Sequence, residues 1–361
     1  MNKRWLATGL AMPALAAALL ATFMATFPDA LSWPAVSPSA GSAVTRAERR
    51  ELIETLASRL NEHYVFADKA QQMAALLRER ERQGAYDIDN GAALAAVLNR
   101  DLASVAHDAS LALEYRADAP VGVEHQAAHG AWPGWLDLLR RRFGSHGVAK
   151  VERLPPDIGY LAIAEFEPPA LAGPKYAQAL EKLAGTAAII VDLRHNRGGS
   201  REAARLLASY FVDRPLPLNE VHYRDSGRTE RPWTVNRLPA PAHLGKMYVL
   251  TSRDTQAAAE DFAYTMQAMK RAAIIGEPTR GAAHVATAYR LAPHFSGAIP
   301  NGRPVNPVTQ ANWEGAGVVP DVPAPADQAL KTIERRILTE RLAHASNAFG
   351  YIALKKLLAE L

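Results

Sequence analysis

Cysteine is absent from this 361-residue protein. That excludes disulfides, thiolate metal sites, a cysteine nucleophile and a lipid-modified cysteine anchor, while leaving the compartment open. A strong excess of either charge is missing too: 41 Lys and Arg face 37 Asp and Glu, and the formal charge is only +4. No basic stripe interleaves with aromatics, so no nucleic-acid partner is expected. The one compact basic cluster in the middle of the sequence, Arg140 to Arg142, follows Leu136, Leu138 and Leu139 and reads as the solvated end of a short helix. No His-Glu-x-x-His pattern occurs and the eleven histidines are scattered, so neither a metal nor another cofactor is expected. With 48% hydrophobic and 22% charged residues, the composition is that of a folded protein rather than a disordered one.

One long apolar run stands at the N-terminus. Lys3 and Arg4 precede an uncharged Ala- and Leu-rich stretch from Trp5 to Phe27. A positive n-region followed by an apolar run is an export signal, placing the mature protein in a periplasmic or extracellular space. The stretch is close to the roughly 20 residues that span a bilayer. It is therefore either cleaved, with small residues within 35–43 as candidate sites, or kept as a membrane anchor.

Residues 1–27 are thus expected to be a signal peptide or signal anchor, and 28–44, rich in Pro, Ser and Ala, a linker. A small helical domain is expected over 45–109. Leu52, Ile53, Leu56 and Leu60 share one helical face, Met73, Leu76 and Leu77 repeat that logic, and Leu94, Val97, Leu98 and Leu102 suggest a third helix. Over 110–330 the pattern changes. Short apolar runs at 111–113, 158–164, 187–191, 247–250 and 272–275 suit buried strands, with helical segments at 176–183, 201–210 and 257–269 between them. Strands alternating with helices predict an α/β core, and residues 331–361 read as a helical tail.

Three segments carry candidate chemistry. Asp192-Leu193-Arg194-His195-Asn196-Arg197-Gly198-Gly199 follows an apolar strand. Paired glycines at a strand-to-helix junction let backbone N–H groups face a ligand oxygen, although an ordinary tight turn has the same composition. In the second segment, Tyr248 to Ser252 leads through Arg253, Asp254 and Thr255 into a helix that begins near three alanines, Ala257 to Ala259. A strand, a turn and a helix N-terminus are the usual launch site for a nucleophile, yet alanine carries no functional group. Thr255 is expected to cap that helix. The third segment runs from Asn312-Trp313-Glu314-Gly315 to Val319-Pro320-Asp321. Its glutamate either orients a base or is a salt-bridged loop residue.

Taken together, these segments resemble the tail-specific (C-terminal-processing) serine peptidase family, in particular its interphotoreceptor retinoid-binding-protein-like branch without a PDZ domain. With the first and third of these segments, Tyr64-Val65-Phe66, Ile158-Gly159-Tyr160-Leu161 and Gly276-Glu277-Pro278-Thr279-Arg280-Gly281 make five motifs of the resemblance in order along nearly all the mature protein. It implies a crotonase-like core of ββα units, with the site where the helical and α/β parts meet.

Carried over residue by residue, the resemblance puts Ala257 in the slot of the nucleophilic serine, fixed by Thr255 and Glu260 on either side. The histidine slot, in Asp108-Ala109-Ser110-Leu111, holds Ser110, and the slot of the lysine in Ser–Lys members holds Ala282. Glu314 matches the acidic third member. Gly198 and Gly199, with the N–H of Ala258, match the oxyanion hole, and Asn196 is grouped with them as a binding residue. An odd offset in an extended segment points His107 to the opposite face, so it is not expected to be the substitute. His195 and His284 are placed to approach the pocket, but a histidine without a nucleophile forms no acyl-enzyme. Losing a nucleophile or its base costs on the order of a million-fold. The expected function is accordingly that of an inactive peptidase-family protein binding a peptide, a protein C-terminus or an apolar small molecule. The alternatives are an active serine-type peptidase with an unrecognised nucleophile or base, and a structural or partner-binding protein.

Overall fold

The computed structural model describes residues 43–117, 144–345 and 347–361. The apolar N-terminal run, most of the linker and the Arg140–Arg142 cluster lie outside them. Val44–Leu361 forms one unit.

Three helices come first: α1 (Arg46–His63), α2 (Ala67–Arg82) and α3 (Gly91–Ala106). Two start on side-chain caps, Thr45 accepting from the N–H of Glu48 at 3.2 Å and Asn90 from that of Ala93 at 2.9 Å. The leucines at helical spacing are the buried ones: Leu52, Leu56, Leu60, Leu77, Leu94 and Leu98. Their core does not end with the helices. Leu113, Leu291, Phe295 and Ile299, all strand residues, pack into the same cluster, so the apolar packing runs across residue 109, where the helical part was expected to close.

Those strands belong to an antiparallel sheet. It contains β1 (Ala112–Tyr115), β5 (Glu220–Tyr223), β6 (Thr229–Glu230), β9 (Val285–Ala292) and β10 (Phe295–Val305), with β10 pairing β1, β5 and β9. The β9–β10 hairpin was not expected from sequence. Gly297, Pro300, Gly302 and Pro304 dilute its hydrophobic pattern, and two register irregularities interrupt its ladder.

A second sheet carries the α/β core in the order β11-β8-β7-β4-β3-β2. Its strands are β2 (Val148–Leu154), β3 (Ile158–Ile163), β4 (Ala188–Asp192), β7 (Lys246–Thr251), β8 (Ala273–Gly276) and β11 (Val322–Pro323). The run β3-β4-β7-β8 is parallel, and β2 with β3 and helix α4 (Pro169–Leu183) makes one ββα unit. Every residue of β4 is buried, as a parallel strand covered on both faces requires. Helices α4, α5 (Arg201–Ser209) and α6 (Ala258–Ala268) cover one face through a core that includes Phe166, Phe211, Phe262 and Trp313. Helix α7 (Ala329–Ala343) covers the other with Ala329, Ile333 and Ile337. The expected tail is therefore two elements of different character, since α8 (Ala348–Glu360) buries no residue.

This architecture aims the chemistry-bearing loops in one direction. The loops after β4, β7 and β8 all leave from the carboxyl ends of parallel strands, where open α/β sheets gather their ligand sites.

Candidate functional site

The segment after β4 is held by its own asparagine. The Asn196 side chain, fully buried, donates to the carbonyl of Ile163 at 3.0 Å and accepts from the N–H of Gly198 at 2.8 Å. Gly198 and Gly199 have φ of 102° and 111°, values that side chains rarely adopt. A Cβ on Gly199 would lie 2.3 Å from the Phe166 carbonyl oxygen. Phe166 bridges to this turn by donating to the Gly198 carbonyl and accepting from Ser200. The side chain of Ser200 then caps α5 by accepting from Ala203. Asn196 and the N–H of Gly198, expected to face a ligand, are thus committed to each other. Of the expected oxyanion donors, the N–H groups of Gly199 and Ala258 remain without a partner among the described residues.

The segment after β7 ends at Ala257, which is exposed and has φ 53° and ψ −117°. For a residue with a Cβ this is a strained backbone, costing on the order of 1–3 kcal/mol and persisting only where its surroundings enforce it. The enforcing group is Glu260, three residues on and fully buried. Its Oε2 accepts from the N–H of Ala257 at 2.9 Å and of Ala282 at 3.1 Å. Its Oε1 accepts from the Thr279 hydroxyl and the Gly281 N–H, both at 2.6 Å. Burial pushes the Glu260 carboxyl above its usual range, against these four donors. A single carboxylate thereby welds the start of α6 to the loop after β8. Gly198 closes the third side, for a Cβ there would stand 2.9 Å from that of Ala257.

Thr255 does not cap α6. Its hydroxyl donates to the Leu193 carbonyl at 2.8 Å and accepts from the N–H of Ser252 at 3.0 Å, so it ties the two loops together from a fully buried position. The hydroxyl of Ser252 donates to the carbonyl of Arg194. Both hydroxyls nearest the nucleophile slot are therefore engaged with backbone carbonyls.

Next to this elbow lies a cluster of titratable groups. Asp108, immediately after the left-handed end of α3 at His107 (φ 52°), is buried. Its Oδ1 accepts from the N–H of Ser110 at 2.9 Å, and its Oδ2 from the Tyr64 hydroxyl at 3.0 Å. The Nδ1 of His284, from the loop entering β9, sits 2.9 Å from that same Oδ2 and 3.5 Å from Glu314 Oε2. Glu314 Oε2 accepts from the N–H groups of Ala283 at 2.7 Å and His284 at 3.1 Å, while its Oε1 is buried without a hydrogen-bond partner. The Phe66 ring meets His284 edge-on at 5.7 Å. Burial pushes the Asp108 carboxyl up, but the hydrogen bond and charge of His284, with Ser110 and Tyr64, outweigh it and hold it below the carboxylate range. Burial, followed by the charge of Asp108, pushes Glu314 up against the opposing pull of His284 and the two N–H groups.

Ser110 and Glu314 are half-buried and come close through Asp108 and His284. Ala257 and Ala282 meet on Glu260, two residues short of His284. His107 and His195 are exposed, whereas His284 is buried inside the cluster. The Tyr64–Asp108–His284 series of contacts was missed in sequence. Asp108 and His284 are 176 residues apart, and they are brought together at the entries of β1 and β9, which both pair β10 in the antiparallel sheet. The one signal was the closeness of His284 to the Gly-Glu-Pro-Thr-Arg-Gly turn.

Comparison with known proteins bears on the family and the fold. Residues 157–324 match the family model of peptidase family S41, and residues 41–139 match that of the N-terminal domain of S41 peptidases in eukaryotic IRBP. Carboxyl-terminal-processing peptidase 2 of Arabidopsis thaliana, a chloroplastic protein, is 28% identical over 199 residues, covering 53% of this protein and 38% of its own length. Its paralogue, peptidase 1, is 27% identical over 179 residues, 49% of this protein and 35% of its own length. The match thus spans well under half the length of these curated relatives. Among solved structures, a provisionally assigned peptidase of Parabacteroides merdae aligns with a TM-score of 0.57 at 19% identity, over 80% of this protein and 96% of its own length. A lipoprotein of Streptococcus agalactiae aligns at 0.54 and 13% identity, over 81% and 97%. At such identities the likeness shows the fold alone. With both family models matched in order and a mixed α/β fold shared with these structures, the protein belongs to the tail-specific peptidase family S41.

Proposed function

We propose that this is an exported S41-family protein that binds an extended peptide or a protein C-terminus without hydrolysing it. The observation that carries the reading is Ala257. Its backbone is kept in a strained turn by the four-bond hub of Glu260 and by the close approach of Gly198, although it has no group to present. Strain of this kind accumulates where a site needs it. Here the beneficiaries are the unpartnered N–H groups of Ala258 and Gly199, donors suited to a peptide carbonyl or a terminal carboxylate. Export rests on Lys3 and Arg4 ahead of the apolar run Trp5–Phe27. Among the described residues no helix is long and apolar enough to cross a membrane.

The test is fluorescence anisotropy with labelled peptides ending in a free carboxylate or an amide, together with a degradation assay on an unfolded protein. Saturable binding that favours the free carboxylate, with no product, is expected. No binding of any peptide at millimolar concentration would remove the ligand-binding reading and leave a partner-binding one.

A second reading, residual hydrolysis, has one observation in its favour: the carboxylate–imidazole pair of Asp108 and His284 has the make-up of an oriented general base. Turnover by homogeneous protein that is lost in His284→Ala would establish it. Turnover unaffected by that change would point to a contaminant.

A further inference from the structure

Asp108, His284 and Glu314 present one donor atom each, all within 4.8 Å of one another. We infer that these three residues form a binding site for a divalent transition-metal ion of the zinc class. The inference is independent of whether the neighbouring elbow binds peptide.

Geometry supplies the first argument. In a tetrahedral zinc site with nitrogen and oxygen ligands at about 2.0–2.1 Å, neighbouring ligand atoms are roughly 3.3 Å apart. His284 Nδ1 lies 2.9 Å from the Asp108 oxygen and 3.5 Å from the Glu314 oxygen, on either side of that value. An ion between them takes the place that a shared proton has in the hydrogen bond to Asp108. His284 then carries its remaining proton on Nε2 and ligates through Nδ1.

Charge supplies the second. The side chains of Asp108 and His284 are 1% and 3% exposed and that of Glu314 17%. Two carboxylates and a neutral imidazole sum to −2, which one divalent ion cancels. A proton on the imidazole cancels only half of it, and uncompensated buried charge is costly. The other oxygen of Glu314, Oε1, is buried without a hydrogen-bond partner, so this carboxylate is short of donors.

Third, both carboxylates are held in place by other groups. The Tyr64 hydroxyl and the Ser110 N–H fix the Asp108 carboxylate, and the N–H groups of Ala283 and His284 fix that of Glu314. Outer hydrogen bonds of this kind orient metal ligands and are a normal part of such sites. An arrangement with three protein ligands leaves the fourth position for water or a ligand group. One nitrogen with two carboxylates suits zinc and its transition-metal neighbours, whereas magnesium and calcium call for all-oxygen shells.

The experiment uses untagged full-length protein stripped with EDTA. Equilibrium dialysis against Zn²⁺, with metal counted by mass spectrometry, should give one tightly held ion per molecule. Substitution with Co²⁺ should produce visible d–d absorption of a low-coordinate nitrogen–oxygen site. His284→Ala and Glu314→Gln should each lower affinity at least about tenfold and abolish the cobalt bands, and Ser110→Ala, which removes no ligand atom, should keep both. Mg²⁺ and Ca²⁺ should neither compete nor raise the melting temperature. Wild-type protein that retains no zinc overturns the site whatever the variants do. So does zinc bound unchanged by a folded Glu314→Gln variant, which would put the ion elsewhere on the surface.

Discussion

Two neighbouring parts of this molecule are held together in opposite ways. At the elbow between β7 and α6 the backbone is strained at Ala257, the residue that the family resemblance puts in a serine's slot and that has no group to react. In the cluster beside it, the expected histidine position holds Ser110, yet an imidazole is present all the same, delivered by His284 from another loop. The elbow is a matter of backbone, enforced by Glu260 through four donors whether or not residue 257 has a hydroxyl. The cluster is a matter of side chains, so its composition changes with single residues while the fold stays. A buried hydrogen-bond hub needs that turn for its own satisfaction, whatever side chain residue 257 carries.

The comparison breaks most visibly if chemistry is put back. Ala257→Ser combined with Ser110→His should label covalently with a fluorophosphonate, at least about a hundred-fold faster than either single variant, since members of a catalytic set act as a unit. A misplacement of about 1 Å can itself cost a hundred-fold, so slow labelling is in keeping with the proposal. If Ala257→Ser alone labels as fast as the pair, His284 is already the base, and the two regions form one working site short of one oxygen. If a folded double variant stays unlabelled, the elbow and the cluster do not face each other.

The next largest effect should come from the hub. Glu260→Gln replaces an acceptor of four bonds by a group with one acceptor oxygen and an amide N–H₂ turned toward donors. At about 1–3 kcal/mol for each buried group left unsatisfied, the loss should be about 3 kcal/mol in urea unfolding. Glu314→Gln, at the half-buried edge of the cluster, should cost far less. Equal losses in the two would contradict the contrast between a backbone-bound elbow and an exchangeable cluster.

The smallest effect has the opposite sign. Ala257→Gly removes a Cβ from a positive-φ position, relieving strain on the order of 1–3 kcal/mol. It adds about 0.5–1 kcal/mol of entropy to the unfolded state. A net gain of about 1 kcal/mol is expected in the same unfolding assay, and a loss would mean that Ala257 is not strained.

Much of the fold was legible because its determinants are local. The apolar runs at 187–191 and 247–250 became β4 and β7, and the leucine spacings over 52–102 became the buried faces of α1 to α3. The strand-turn-helix punctuation around Gly198, Gly199 and Thr255 marked where loops leave the sheet. Hydrophobic periodicity and turn chemistry are properties of neighbouring residues, so the linear sequence displays them. The β9–β10 hairpin escaped because glycine and proline mask a strand that its partners nonetheless hold in register.

What the sequence by itself determined is which side chains are present: Ala257 and Ala282 carry no reacting group wherever they lie, and Ser110 carries no imidazole. It also determined that paired glycines stand behind a strand. Tertiary structure alone decided what the remaining groups do. It gave Asn196 to Gly198 rather than to a ligand, turned Thr255 from a helix cap into a tie between loops, and made Glu260 a four-bond hub. It also joined His284 to Asp108 across 176 residues of sequence. The division follows from the physics. The presence of a functional group is a property of one residue, whereas hydrogen-bond partners, burial and charge compensation depend on distances that only the packed sheets and helices set.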